Sequence, residues 1–141
     1  MLKRNLLIFA STALFLSSIG CTQSDTVAVT GTVTLDGQPV PDAEVMFNPL
    51  PNKPGRMAST HTDSSGHFTL ETFKPGDGAM PGDYVVTLAE YFPPGKAPSP
   101  PPGGGPLPSR FPVKYGNPDQ SPLHVTVERG KKNDFPLEAK K

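Results

Sequence analysis

Three side chains near the middle of the chain, His61, Asp63 and His67, have the types and spacing of a metal site or a catalytic cluster. They lie in the stretch THTDSSGHFTL, residues 60–70. Imidazole nitrogens and carboxylate oxygens are ligands that zinc uses in proteins. A turn explains the same stretch, because Asp at the first position and Gly at the fourth position of residues 63–66 are typical of a type I turn. The chemistry therefore depends on where the flanking strands place these side chains.

The alternation on both sides of this turn predicts a hairpin. Side chains of a strand point alternately to two faces, and the expected register directs one set into the core: Thr60, Thr62, Phe68 and Leu70. His61, Asp63 and His67 then share the outward face, within roughly 5 to 8 Å of one another by cross-strand and diagonal spacing. Asp63 also has a structural role in this position, because it accepts hydrogen bonds from the main chain of its own turn. We expect that structural role, and no catalytic, metal-binding or cofactor-binding residue.

The first 21 residues predict export and lipid attachment at Cys21. Lys3 and Arg4 precede residues 6–19, a run of 14 residues without a charge. Such a run has the length of the apolar region of a signal peptide, and it falls short of the roughly 20 residues of a membrane-spanning helix. The ending S-I-G-C resembles the lipobox of bacterial lipoproteins, which implies that Cys21 is diacylated and becomes the new N-terminus. Cleavage by ordinary signal peptidase, which would release a soluble chain starting at the same residue, is the alternative.

Composition excludes several classes of function. Pro (19) and Gly (14) make up almost a quarter of the 141 residues, which disfavours long helices and requires many turns. Without Lys3 and Arg4 the chain keeps 11 basic residues against 13 acidic ones, so it offers no excess of positive charge to nucleic acid. It has neither a G-x-S-x-G elbow nor a phosphate-binding glycine loop before a helix. We therefore expect no enzyme and no nucleic acid partner.

Alternating apolar residues separated by turns predict short strands after residue 26. Residues 27–35 alternate strictly, and Asp36-Gly37 favours a type I′ hairpin turn. Residues 43–47 alternate again and predict the returning strand. Residues 93–112 contain 9 Pro and 4 Gly, a composition that predicts an exposed loop inserted between strands.

The predicted domain organisation follows from these segments. We expect a signal peptide at residues 1–20, a tether at 21–26, and one β-sandwich domain at 27–141 with the Pro/Gly-rich loop at 93–112. The fold class is all-β, a seven-stranded antiparallel β-sandwich.

Turn and core residues between positions 27 and 88 resemble a known family. The motifs are V-x-G-x-V at 29–33, T-D-x-x-G-x-F at 62–68 and P-G-x-Y-x-V at 81–86. Together they look like the carboxypeptidase regulatory-like domain of the transthyretin-like (prealbumin-like) group, and with the lipobox the chain resembles small lipoproteins of planctomycete-type bacteria. The resemblance implies a seven-stranded, Greek-key, prealbumin-like sandwich. It implies no chemistry, because the shared residues are turn glycines, turn aspartates and core apolar residues.

A hydrolase branch of the same group is recognised by histidines in its first strand and by a Tyr-Arg-Gly-Ser C-terminus. This chain has no histidine before His61 and ends in EAKK. The resemblance therefore argues against an enzyme.

These observations predict a non-enzymatic lipoprotein of the cell envelope, tethered to the membrane through its N-terminal lipid, with a structural or protein-interaction role. Thr22 after Cys21, rather than Asp, favours the outer membrane if the cell has two membranes. The alternative is a carbohydrate or cell-wall binding module, in which Tyr91, Phe92 and Tyr115 would stack on a sugar. The sequence leaves open whether the partner is a protein or a glycan of the envelope, and how many copies of the chain assemble.

Overall fold

A computed structural model describes residues 25–141, which form two β-sheets around one core. The strands are β1 (Val29–Leu35), β2 (Gln38–Pro39), β3 (Ala43–Pro49), β4 (Ala58–His61), β5 (His67–Thr69), β6 (Gly82–Glu90), β7 (His124–Val127) and β8 (Asn133–Ala139). A single turn of 3-10 helix occupies Val113–Gly116. Within residues 25–141, no helix is long and apolar enough to cross a lipid bilayer. The predicted all-β class is confirmed, whereas the signal peptide and Cys21 lie outside the described residues.

The two sheets have four strands each. In the first sheet, β8 pairs with β1 along its whole length, and β2 and β5 share the other edge of β1. In the second sheet the order is β4-β3-β6-β7. All pairings are antiparallel except that of β1 with β8, so the prediction of a purely antiparallel sandwich is wrong at this pair. The reason is the connection, because β7 ends beside the start of β1, and the chain turns there into β8.

The core lies between the inner faces of the two sheets. Its largest fully buried side chains are those of Tyr84, Phe47, Phe68, Leu70 and Leu88. The ring of Phe47 lies at the centre, with its centroid 6.3 Å from that of Phe68 and 5.8 Å from that of Tyr84. Gly31 in β1 is required here, because a Cβ atom at this position would lie 2.5 Å from Cζ of Phe68.

The turn at Asp36-Gly37 forms as predicted, with φ of 50° and 83°. The expected return along residues 43–47 is wrong, because only the two residues of β2 pair with β1 and the chain then crosses to the other sheet as β3. Thr62 holds this crossing. Its Oγ1 accepts a hydrogen bond from the N–H of Ala43 (2.9 Å) and donates one to the carbonyl oxygen of Val40 (2.6 Å). The crossing is thus fixed by a residue that lies far from it in sequence.

The turn at residues 63–66 also forms, since the N–H of Gly66 donates to the carbonyl oxygen of Asp63 (3.0 Å). The expected register holds at the turn and again where Ser59 bridges to Glu71. The hairpin ladder expected between these points is wrong, because β4 pairs with β3 and β5 pairs with β1. The two arms therefore belong to different sheets. Of the four side chains expected in the core, Thr62, Phe68 and Leu70 are buried and Thr60 is half-buried.

The strands run between two ends of the sandwich, which carry different loops. The N-terminal end is where the described chain begins, and there Val27 pairs with Ala79. The far end carries the turns at 36–37 and 63–66, together with Glu90 at the end of β6. At about 3.3 Å per residue, β6 alone separates the two ends by about 26 Å.

Candidate functional site

The separation of β4 from β5 opens a polar cleft at the far end, with a volume of about 370 Å³. Its lining includes Asp42 and the sequence-predicted trio of His61, Asp63 and His67. All three members of the trio are exposed, so the structure brings them to one surface as the alternation predicted. His61 reaches this surface from one sheet and His67 from the other.

Asp63 is occupied by the turn it starts. Its Oδ1 accepts hydrogen bonds from the hydroxyl of Ser65 (2.7 Å), from the N–H of Ser65 (2.8 Å) and from the N–H of His67 (3.0 Å). The hydrogen bond from the Ser65 side chain, followed by those from the two main-chain groups, lowers the pKa of the Asp63 carboxyl. The carboxylate therefore stabilises the turn, which is the structural role expected from the sequence.

The His61 ring lies against an aromatic side chain. Its centroid is 4.2 Å from that of Tyr91 and the two planes differ by 7°, which is a stacked pair. The N–H of Tyr91 donates to the carbonyl oxygen of Asp42, and this bond fixes the position of Tyr91. Across residues 25–141, no group of three or more His, Cys, Asp and Glu side chains has an arrangement that could hold a metal ion. The cleft offers hydrogen-bonding groups beside an aromatic ring.

A larger and mainly apolar groove lies alongside β6 at the same end, with a volume of about 550 Å³. Its apolar lining includes Leu88, Phe92, Leu107, Phe111 and Val113. Val113 is 85% exposed and Leu107 is 39% exposed. Apolar side chains of this size rarely remain in water without a function, so the groove is the stronger candidate for a binding surface.

The groove follows a strand edge that has no neighbour in the described part of the chain. β7 pairs with β6 only as far as Val85, and the N–H of Val86 donates to the carbonyl oxygen of Leu123 just beyond it. Main-chain groups of every second residue point to the same side of a strand, so those of Leu88 and Glu90 also point to this edge. The groove therefore combines apolar side chains with main-chain donors and acceptors, which is the chemistry that recognises an extended peptide.

One ion pair closes the base of the Pro/Gly-rich loop beside the groove. The guanidinium of Arg110 donates through Nε to Oε1 (2.9 Å) and through Nη2 to Oε2 (2.6 Å) of Glu90, and a further bond reaches the carbonyl oxygen of Pro41 (2.8 Å). Burial acts to raise the pKa of Glu90, but the hydrogen bonds and charge of Arg110 outweigh it and leave that pKa lowered. The hydrogen bond to Glu90 raises the pKa of Arg110.

The loop itself is exposed as predicted, from residue 94 to residue 110. Of the three aromatic residues expected to stack on a sugar, only Tyr91 and Phe92 are partly accessible. Tyr115 is 3% exposed, and its hydroxyl accepts a hydrogen bond from the N–H of Lys140. Sequence reasoning missed Glu90 and Arg110, because nothing in the local pattern connects two charges that are 20 residues apart.

Comparison with known proteins adds no assignment. No protein-family model matches the chain, and no curated protein or solved structure matches it. The resemblance to the carboxypeptidase regulatory-like domain therefore stays a prediction.

Proposed function

We propose that the protein is a non-enzymatic lipoprotein of the cell envelope, held on the membrane by lipid on Cys21, whose β-sandwich binds a partner protein. The observation that carries this proposal is the apolar groove beside the free edge of β6. The groove lies at the far end, whereas the chain from Cys21 enters at the N-terminal end. A partner can therefore reach the groove while the other end of the domain faces the membrane.

The finer features of the fold and of the location belong to this proposal. We assign the carboxypeptidase regulatory-like class, with a Greek-key, prealbumin-like topology, and a location on the outer membrane if the cell has two membranes. Support for the class comes from two four-stranded sheets and from the roles of motif residues, since Gly31 admits a core ring and Gly66 closes a turn. These are fold-forming roles, as expected for a motif that implies no chemistry.

Lipid attachment is tested by metabolic labelling with palmitate. The wild-type protein is expected to take up the label and to fractionate with membranes, and Cys21→Ser is expected to do neither. Wild-type protein that stays unlabelled would contradict the lipoprotein assignment. Sucrose-gradient fractionation of the two membranes then tests the outer-membrane location.

The groove is tested by photo-crosslinking in living cells. A photoreactive residue at Val113 is expected to give a discrete protein adduct, because this side chain borders the groove and is exposed. The matched control is the same residue at Glu138, which is exposed on the other sheet. Adding Leu107→Asp should remove the Val113 adduct by placing a charge in the groove. Equal adducts at both positions, or none at either, would contradict a binding role for the groove.

Binding of a carbohydrate is a second candidate, which the polar cleft favours. Tyr91 lies partly exposed beside a cleft that includes Asp42, Asp63 and His67, and sugars are bound by aromatic rings together with hydrogen-bonding groups. Sedimentation with purified cell wall tests it. Retention of the wild type and loss with Tyr91→Ala would favour the glycan, whereas no retention would remove this candidate.

A further inference from the structure

Two large apolar side chains are exposed together at the N-terminal end. Phe73 is 57% exposed and Met57 is 58% exposed. The guanidinium carbon of Arg56 lies over the Phe73 ring, 5.4 Å from its centroid. An aromatic ring, a flexible thioether and a cation with an apolar stem form the kind of surface found where proteins meet a lipid interface.

The loop that carries Phe73 is held in place by its own main chain. The Asp77 carboxylate accepts hydrogen bonds from the N–H groups of Thr72 (2.7 Å), Phe73 (3.1 Å) and Lys74 (3.3 Å). Desolvation acts to raise the pKa of Asp77, but these hydrogen bonds outweigh it and leave the pKa lowered. Because the main chain around Phe73 is fixed, its ring is presented to the solvent by a defined loop.

The same loop adjoins the point where the chain arrives from Cys21. Val27 exchanges two main-chain hydrogen bonds with Ala79 (2.8 and 3.0 Å), and Gly78 packs so closely on Val27 that a Cβ atom there would lie 1.8 Å from its carbonyl oxygen. Asp25 follows Cys21 by four residues. At no more than about 3.5 Å per residue, that stretch spans at most about 14 Å. Lipid on Cys21 would therefore hold this end of the sandwich close to the bilayer.

The charges around Phe73 suit the headgroup region. Lys53, Arg56 and Lys74 are exposed beside the apolar pair. Of the nearby acids, Asp77 turns both carboxylate oxygens to the main chain of the loop, and Glu71 is exposed. Lysine and arginine next to apolar side chains add an attraction to anionic lipids of about 1 kcal/mol each.

We propose that the N-terminal end docks on the bilayer that holds the lipid anchor, with Phe73 and Met57 inserted at the interface and Arg56 at the level of the headgroups. This inference rests on the lipid attachment proposed above. Its occupant is a lipid surface, because the length of the tether brings that surface, rather than another protein, within reach. Docking would orient the sandwich with the apolar groove directed away from the membrane.

The chain contains no tryptophan, so a single introduced one reports on its own surroundings. Phe73→Trp is prepared in the membrane-extracted protein and reconstituted into vesicles of phosphatidylethanolamine and phosphatidylglycerol with brominated acyl chains. Its emission is expected to shift to the blue and to be quenched by the bromine atoms. Val113→Trp is the matched control at the far end, where the exposed side chain should remain in water and unquenched. Equal quenching of both variants, or of neither, would overturn the docking.

Palmitate labelling of the same preparations separates the two proposals. If the label is present and Phe73→Trp is not quenched, the anchor stands and the docking is overturned. If the label is absent, the lipoprotein assignment fails, and the docking with it, because the tether that carries it would be missing. Adding Met57→Ser to Phe73→Trp should weaken the quenching, and an unchanged signal would exclude a role for Met57.

Discussion

The two ends of the sandwich expose apolar side chains in different ways. Within residues 25–141, the exposed large apolar residues are Met57 and Phe73 at the N-terminal end, and Leu107 and Val113 at the far end. At the N-terminal end a carboxylate binds successive N–H groups of one short loop. At the far end a carboxylate binds only the base of a long loop. A short loop is thus fixed along its length, whereas a long one is fixed where it leaves the sheet and returns.

The largest effect is expected where the short loop meets the core. Gly78→Ala and Gly104→Ala both place a side chain at positive φ (83° and 75°), which costs about 1 to 2 kcal/mol. Only at Gly78 does the new Cβ meet the main chain of Val27, and overpacking adds about 1 to 3 kcal/mol. Urea unfolding should therefore give a total loss of about 2 to 5 kcal/mol for Gly78→Ala and about 1 to 2 kcal/mol for Gly104→Ala. Equal losses would show that the two loops are held alike.

Removing the carboxylate of the short loop should have the next largest effect. Asp77→Ala leaves three N–H groups without their acceptor, and we expect a loss of about 1 to 2 kcal/mol after allowing for solvent around the loop. Asp77→Asn keeps one acceptor oxygen and should lose less. Urea unfolding measures both variants, and hydrogen exchange should show faster exchange at Phe73 and Lys74. Unchanged exchange would mean that the loop is ordered by other contacts.

The ion pair at the far end should contribute less, and its contribution should depend on pH. Glu90→Gln is expected to lower the free energy of unfolding by about 1 kcal/mol at neutral pH, as for a partly exposed pair. The folded pKa of Glu90 is below its ordinary value of 4.5, so the contribution is present above that value and disappears as the pH falls through the lowered pKa. Thermal melts of both proteins should converge at acidic pH. A difference that persists there would exclude ionisation of Glu90 as its cause.

Shortening the long loop should change stability only slightly. Deleting residues 97–106 removes exposed residues and leaves Glu90 and Arg110 in place, so the free energy of unfolding should change by no more than about 1 kcal/mol. A denaturant melt measures it. A much larger loss would show that the loop packs on the domain, and would remove the contrast with the short loop.

The smallest effect is expected in the polar cleft. His61→Ala combined with His67→Ala should change stability by no more than about 0.5 kcal/mol, because both side chains are exposed. Melts with zinc and with a chelator provide the control for a metal site. If zinc raised the melting temperature of the wild type and not of the double variant, the structural interpretation of this cleft would be wrong.

The sequence predicted turns better than strand partners. Asp36-Gly37 and residues 63–66 form the expected turns because their geometry is decided by a few neighbouring residues. Which strand pairs with which is decided by the core. The arms beside Asp63 separate because β4 and β5 each complete a different sheet. The parallel pairing of β8 has no local signal for the same reason.

The candidate sites show the same division. The exposure of His61, Asp63 and His67 followed from alternation alone, since a strand with one buried face exposes the other. The stacking of His61 on Tyr91 joins residues 30 positions apart, and no periodicity connects them. The apolar groove was also beyond sequence reasoning, because it exists only where β7 stops and β6 continues.

The pairing of β1 with β8 has a consequence for the order of events during biogenesis. The first and last strands of the domain are neighbours, so the chain must close a loop of about one hundred residues before the first sheet is complete. Contacts of such long sequence separation slow folding and cannot form while the C-terminal part of the chain is still being made. A chain that must be threaded unfolded through a translocation channel benefits from this delay. The last strand acts as a latch, and folding finishes only when the whole chain has crossed.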